Sequence, residues 1–219
     1  MAGRLSGTFQ LDELETFETS RLTRPVTVPV LIERRSYFIL MTRTAPMGPR
    51  GRLSSENLRR VEKDRLRFGR RVSGSPQAVD ACLRLLEAML APDCNLHIQT
   101  DRKATYRSLI RRRFHGRLGS HVRESSRRRR DYSNVLFPIN HTLAMLRDGV
   151  SRLVRRSWGV SKCRRRLQEH LDLWTAYRNY VRGVTVRAPR VTPAMALGIC
   201  RRPYRVQEIV AWRWPQLMS

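Results

Sequence analysis

Apolar residues recur along this chain in two rhythms. Up to residue 43 they fall in short, β-rich runs. Residues 7–13 alternate weakly and end in Asp12-Glu13; Val26 to Glu33 and Tyr37 to Arg43 are dense in β-branched and aromatic residues, with Arg34-Arg35-Ser36 as a turn between them. Together they predict a three-stranded antiparallel meander. Pro29 lacks an N–H, which predicts that the second strand lies at an edge or carries a bulge. From residue 76 the rhythm becomes helical. Val79, Cys82, Leu83, Leu86, Met89 and Leu90 form one stripe over Pro76–Leu90, with Pro76 suited to a first turn. A strand over 95–100 follows, then a helix of about ten residues from Arg102, and Gly119 to Glu124 reads as a fifth strand. Leu143, Leu146, Val150, Leu153 and Val154 predict a long helix from Pro138 to Trp158. Leu167, Leu171, Trp174, Tyr177 and Val181 predict another from Lys162 to Val181. Trp158, Trp174, Tyr177 and Tyr180 are read as core. Residues 45–75 are polar and punctuated by Gly and Pro, a loop with one solvated helix near 55–66. Short helices near Thr192–Leu197 and Arg205–Trp212 close the chain.

Charge changes this picture most. The chain has 219 residues, 41% of them apolar, and a formal net charge of +26 carried mostly by arginine. That length and apolar content suffice for one sizeable domain with a core. A small-metabolite enzyme has little use for such a charge. Guanidinium offers phosphate a planar, two-pronged donor, so nucleic acid is the leading partner. No run approaches the roughly 20 apolar residues that span a bilayer, and Met1 to Gly7 lacks the apolar centre of a signal peptide, so no membrane role and a cytoplasmic location are expected. Cys82, Cys94, Cys163 and Cys200 contain no C-x-x-C pair, so buried reduced thiols are expected instead of a zinc site.

The most basic stretch, 111–133, holds Arg111, Arg112 and Arg113 in one run and Arg127, Arg128, Arg129 and Arg130 in another. It reads either as a solvated loop or as a phosphate-contacting segment. Seven arginines in two runs would repel one another without an anionic partner, which favours contact. Lys162 and Arg156 read as weaker phosphate contacts.

Two strand ends deliver aspartates: Asp12 after the first strand and Asp101 after the strand at 95–100. Taken alone, each is as readily a turn or cap residue. Their order is strand ending in Asp, two strands, helix, strand ending in Asp, basic segment, long helix. A ribonuclease H-like domain is built in that order. The fold class expected is therefore α/β, a ribonuclease H-like mixed five-stranded sheet flanked by helices, with a C-terminal helical extension. Residues 1–185 would form the core and 186–219 the tail.

The residues also resemble a known family. Leu11-Asp12-Glu13-Leu14, Thr100-Asp101 with Tyr106, and the run from Asn134 through Asn140-His141 to Arg147 are similar to the catalytic core of DDE-type transposases of small bacterial insertion sequences of the IS-one kind. The likeness continues through Ser151-Arg-Leu153, Arg155-Arg-Ser157-Trp158, Ser161-Lys162, His170-Leu171 and Tyr177-Arg-Asn179-Tyr180, and covers roughly residues 7–185. It implies metal-dependent cleavage and strand transfer of a mobile element. DNA, as element ends and target, would be the partner, and the chain would form a homo-oligomer assembled on it, associated with a bacterial nucleoid. The rival is a degenerate relative that binds DNA without cutting it.

The resemblance implies that Asp12 and Asp101 are the first two metal ligands. They would hold two Mg²⁺ or Mn²⁺ ions about 3.5–4 Å apart, one at the attacking and one at the leaving oxygen. The family's third carboxylate falls at Asn140, 39 residues after Asp101. An amide oxygen ligates a metal but adds no charge. Asn140 is therefore read two ways, as a metal-facing group or as the cap of the long helix. Glu124 and Asp131 are less central alternatives. Glu13 reads as a solvated or ion-paired neighbour, His141 as a helix-start surface residue, and His97 as a satisfied strand residue. Such transposases commonly carry an end-binding domain before the first aspartate. Only eleven residues precede Asp12 here, which suggests a truncated element or the downstream product of a split frame.

Overall fold

The structure, a computed structural model, describes residues 5–153, 159–185 and 188–212. Strand β1 (Thr8–Phe17) runs antiparallel to β2 (Pro25–Glu33), and β2 to β3 (Ile39–Thr42) and the two-residue β4 (Ala45–Pro46). After helices α1 (Ser55–Phe68) and α2 (Ser75–Met89), β5 (Leu96–Asp101) pairs parallel with β1. Helix α3 (Ala104–Arg113) then leads into β6 (Leu118–Glu124), which pairs parallel with β5. The protein is thus α/β, with one mixed six-stranded sheet ordered β3-β2-β1-β5-β6 and β4 beside β2. The expected meander and later strands are present; β4 is the addition.

The strand period of two separates two cores. Phe9, Leu11, Leu96 and Ile98 face α2 and α3, meeting Val79, Leu83, Tyr106 and Ile110. Leu14, Val28, Val30 and Ile32 face α4 (Phe137–Gly149) and α5 (Arg164–Tyr180), meeting Ile139, Leu143, Leu146, Leu167 and Trp174. Because both faces are covered, β2 is buried almost throughout. Helix α1 has no buried residue; Ser54 Oγ caps it, and Glu56–Arg60 and Glu62–Arg65 pairs lace its surface.

Several expectations need correction. Strand β2 is interior and not an edge, but it carries the other expected feature, a bulge, between Leu31 and Ile32, two residues beyond Pro29. Pro29 pairs opposite Glu13. Its carbonyl accepts from Arg43 N–H, so its missing donor also points outward, into the gap between the β3 and β4 pairings. The helix expected to reach Trp158 stops at Gly149; Val150 is extended, and a 3-10 turn follows at Ser151–Leu153. Gly149 is where the Trp174 indole crosses α4. Residues 154–158, with Arg156 and Trp158, lie outside the described residues. Cys82 alone of the four cysteines is buried, and Cys163 is exposed. Trp174 is core, whereas Tyr177 is 37% exposed.

The tail carries α6 (Pro193–Ala196) and α7 (Val206–Val210) and packs on α5. Tyr180, Tyr204 and Trp212 meet edge to face there. Among the described residues no helix is long and apolar enough to cross a membrane.

A Cβ built on Gly149 would lie 2.0 Å from Trp174 Nε1. Gly149→Ala must therefore displace a buried indole, and it should destabilise the protein by about 1–3 kcal/mol. Chemical denaturation followed by tryptophan fluorescence checks this.

Candidate active site

The β1–β5 register pairs Gln10 with Gln99 and Leu11 with Thr100. The next rung is Asp12 beside Asp101. Parallel strands lie about 4.8 Å apart, and residues two apart share a face. Gln10, Asp12, Gln99 and Asp101 therefore all face α4. Asp101 ends β5 as expected, but Asp12 lies in the middle of β1, which pairs with β2 as far as Phe17 instead of ending at Glu13. Phe9, Leu11, Ile98 and Thr100 point the other way.

The rung below the carboxylates is an amide clasp. Gln10 Nε2 donates to Gln99 Oε1 at 2.7 Å and to the Val135 carbonyl at 2.7 Å. Gln10 Oε1 accepts from Ile139 N–H at 2.8 Å. One buried side chain thus joins β1, β5 and the first turn of α4. Asn140 follows Ile139 in that turn and is half-buried. It does not cap the helix: α4 starts at Phe137, and Asn140 N–H donates to the Leu136 carbonyl. The residue bracing the helix start is Asn134, whose Oδ1 accepts from Leu136 N–H and whose Nδ2 donates to the Arg129 carbonyl.

Each aspartate is oriented by one backbone donor. Asp12 Oδ1 accepts from Glu13 N–H at 2.7 Å, and Asp101 Oδ1 from Lys103 N–H at 2.9 Å. The Oδ2 atoms make no hydrogen bond among the described residues. Burial pushes Asp12 up from the ordinary 3.8 to about 6; the Glu13 N–H opposes this, the charges of Asp101 and Glu13 add to it, and Arg130 opposes it. Two carboxylates side by side on one face, each with a free oxygen, form a donor pair for a hard cation. Among the described residues no group of three or more His, Cys, Asp or Glu could hold a metal ion. A cation here would rest on the two carboxylates, with an amide oxygen, water or substrate oxygens completing its shell, as Mg²⁺ commonly accepts.

Behind the pair, on the α2 face, Glu13 is fixed from two sides. Lys103 Nζ donates to Glu13 Oε2, and Ser75 Oγ donates to Glu13 Oε1 at 2.7 Å. The Glu13 side chain is 5% exposed. This cluster ties the middle of β1 to the loop after Asp101 and the start of α2.

The basic residues divide. Arg113 holds Asp80 with two nitrogens and Glu87 with a third, fastening α3 to α2. Arg112 approaches Asp80 at 3.7 Å but is mostly exposed. Arg128 pairs with Glu124, and Arg129 with Asp131. That leaves the Glu124 and Asp131 carboxylates engaged by arginine. Arg130 is exposed and close enough for Asp12 to feel its charge. Arg111, Arg127 and Lys162 have no acidic partner among the described residues, and Lys162 is exposed in the loop before α5. His141 is half-buried between the rings of Tyr37 and Phe137. His97 is exposed, its Nδ1 2.8 Å from Ser120 Oγ. Sequence reasoning missed the Gln10–Gln99 clasp, although its signal is visible: Gln-x-Asp occurs in both strands.

Two outcomes follow. Gln10→Leu strands the Ile139 N–H and the Val135 carbonyl in a buried place. It should destabilise the protein by about 2–4 kcal/mol and speed hydrogen exchange at Ile139. Folded Asp12 binds its proton more tightly than the unfolded chain does, so its contribution to stability is present below pH 4 and lost as pH rises through about 6. Asp12→Asn should therefore raise the stability of the metal-free protein by about 1–3 kcal/mol at pH 8, with the gain closing near pH 4. Urea midpoints at the two pH values check this.

Compared with known proteins, the chain matches no family model, and no curated protein matches it.

Proposed function

We propose that the protein is a nucleic-acid phosphotransferase of the DDE transposase kind, with a ribonuclease H-like core, cutting and joining DNA strands of a mobile element. The single observation carrying this reading is the Asp12–Asp101 rung: two carboxylates distant in sequence, on one face, where the parallel pairing of β1 with β5 stops. A mixed sheet with helices on both faces is compatible with such a core. The net charge of +26 and the arginines bordering the rung suit a polyanionic substrate.

Divalent Mg²⁺ or Mn²⁺ held by Asp12 and Asp101 would activate the attacking oxygen and stabilise the leaving one. The protein's own groups do the rest. The Gln10–Gln99 clasp fixes the spacing of the two strands under the site. Glu13 N–H and Lys103 N–H aim the carboxylates. Arg130 lowers the cost of a second negative charge beside Asp12, and the other free arginines hold phosphates. Asn140 contributes a neutral oxygen at the α4 start, so the set would be Asp-Asp-Asn. The neutral third position also favours a second reading, in which the protein binds DNA without cutting it.

Nicking of supercoiled plasmid in Mn²⁺ separates the two. Under the first reading wild type nicks, and Asp101→Asn falls by at least about 100-fold, the loss expected when charge stabilisation of the transition state is removed. Equal rates in both proteins, or no nicking in either, would leave only binding. Asn140→Glu adds the absent carboxylate and should tighten Mn²⁺ by roughly tenfold in calorimetry; an unchanged affinity would remove Asn140 from the site.

A further inference from the structure

On the sheet face opposite the aspartates, three arginines converge where α3 meets the edge strand β6. Arg107 and Arg111, one helical turn apart on α3, and Arg123 on β6 line a depression of about 230 Å³ with His121. None of the three arginines has an acidic partner among the described residues. Arg123 Nη2 donates to the Arg102 carbonyl at 2.9 Å, while its Nε is buried without a hydrogen-bond partner.

His121 sits among them as a neutral ring. Thr100 Oγ1 donates to the Asp101 carbonyl at 2.7 Å, so its proton is committed. His121 Nε2, 2.9 Å from the same oxygen, must then be the N–H donor. Burial, then the charges of Arg123, Arg111 and Arg107, push the His121 pKa down to about 4. The charges acting on the ring are those of the three arginines that line the depression. Ordinary packing accounts for Arg113, which is satisfied by Asp80 and Glu87. It does not account for these three.

The geometry points to a phosphate-binding pocket formed by Arg107, Arg111 and Arg123, which takes one backbone phosphate of a DNA strand passing over the β6 edge. Pockets for whole drug-sized ligands hold about 300–1,000 Å³, so this one suits a single anionic group better than a nucleotide. Guanidiniums match phosphate oxygens in pairs, and the buried Arg123 Nε supplies a further donor. Strand β6 carries Arg123 on this face, while Glu124, in register with Asp101, lies on the other. A strand held here would thus be anchored one sheet thickness from the carboxylate rung. The inference rests on the DNA partner proposed above and not on cleavage.

Binding is therefore measured without divalent ions, in EDTA, by fluorescence anisotropy of a labelled single-stranded oligonucleotide. Arg107→Gln with Arg111→Gln should weaken binding roughly tenfold and flatten the dependence of log affinity on log salt by about 0.7 per lost contact. Arg59→Gln with Lys63→Gln, an equal charge change on solvated α1, should weaken it far less. With no divalent ion present no strand is cut, so a failed cleavage reading leaves this test intact. NMR of the His121 ring supplies the local readout: its signals should move when the oligonucleotide is added, and less when inorganic phosphate is added at equal concentration. Equal weakening by the two double variants, a still ring, or a response to inorganic phosphate alone would overturn the proposal.

Discussion

The parallel pairing of β1 with β5 is the constraint on which the rest depends. Parallel neighbours need a crossover, and the chain spends residues 18–95 making it, through the antiparallel strands, the solvated α1 and the buried α2. What fixes the register at the end of that excursion is polar. Gln10 and Gln99, 89 positions apart, meet by their amides at the rung below Asp12 and Asp101. A slip of one residue between the two strands would turn one carboxylate to the α2 face, away from the other, and strand the amides. Since Gln10 also holds Val135 and Ile139, the same amide sets where α4 begins. Strand register and helix position are therefore not independent.

That coupling explains why the site tolerates an unfavourable charge. Asp12 is pushed toward neutrality by burial and by Asp101 beside it. A flexible scaffold would relax the carboxylates apart. Here their strands are clasped from below, and on the reverse face the Glu13–Lys103–Ser75 cluster ties β1, just past Asp12, to the loop that follows Asp101. The stability lost at one rung is offset by satisfied polar contacts on either side, the usual arrangement at a functional site.

Much of the fold was legible because hydrophobic period decides it. The meander, α2, α5 and the two aspartate-bearing strands follow from alternation or from helical stripes, and their edges shift by only a few residues. What was not legible depended on contacts between distant residues. Helix α4 ends at Gly149, where the Trp174 indole packs against it; the apolar stripe runs on through Val150 and Leu153 and hides that end. Pro29 sits inside the sheet because the outer side of β2 is shared by two short strands with a gap between them. At the site, Asp101 was readable as a strand-end acid, but Asp12 sits mid-strand because β2 continues to pair with β1 beyond it, and the common face of the two required the β1–β5 register. Asn140 looked like a cap because Asn favours caps; the helix began three residues earlier, with Asn134 bracing its start. Arg113 looked like its neighbours in the run, yet helical rotation turns it toward Asp80 and Glu87.

The arginines show how one residue type serves two ends. With 44 basic and 18 acidic residues, most of the positive charge has no internal counterpart. The acids are placed where they join elements: Asp80 and Glu87 fasten α3 to α2, and Glu18 holds Arg71 in a mostly buried pair. The surplus charge collects around the sheet end, in the 125–133 loop and at the α3–β6 depression. Such charge repels itself, and in the free protein only salt screens it. A bound polyanion would relieve that repulsion and release its own counterions, so affinity and stability become two readings of one linkage. The positive surface that weakens the isolated fold is thus the same one that would hold its partner.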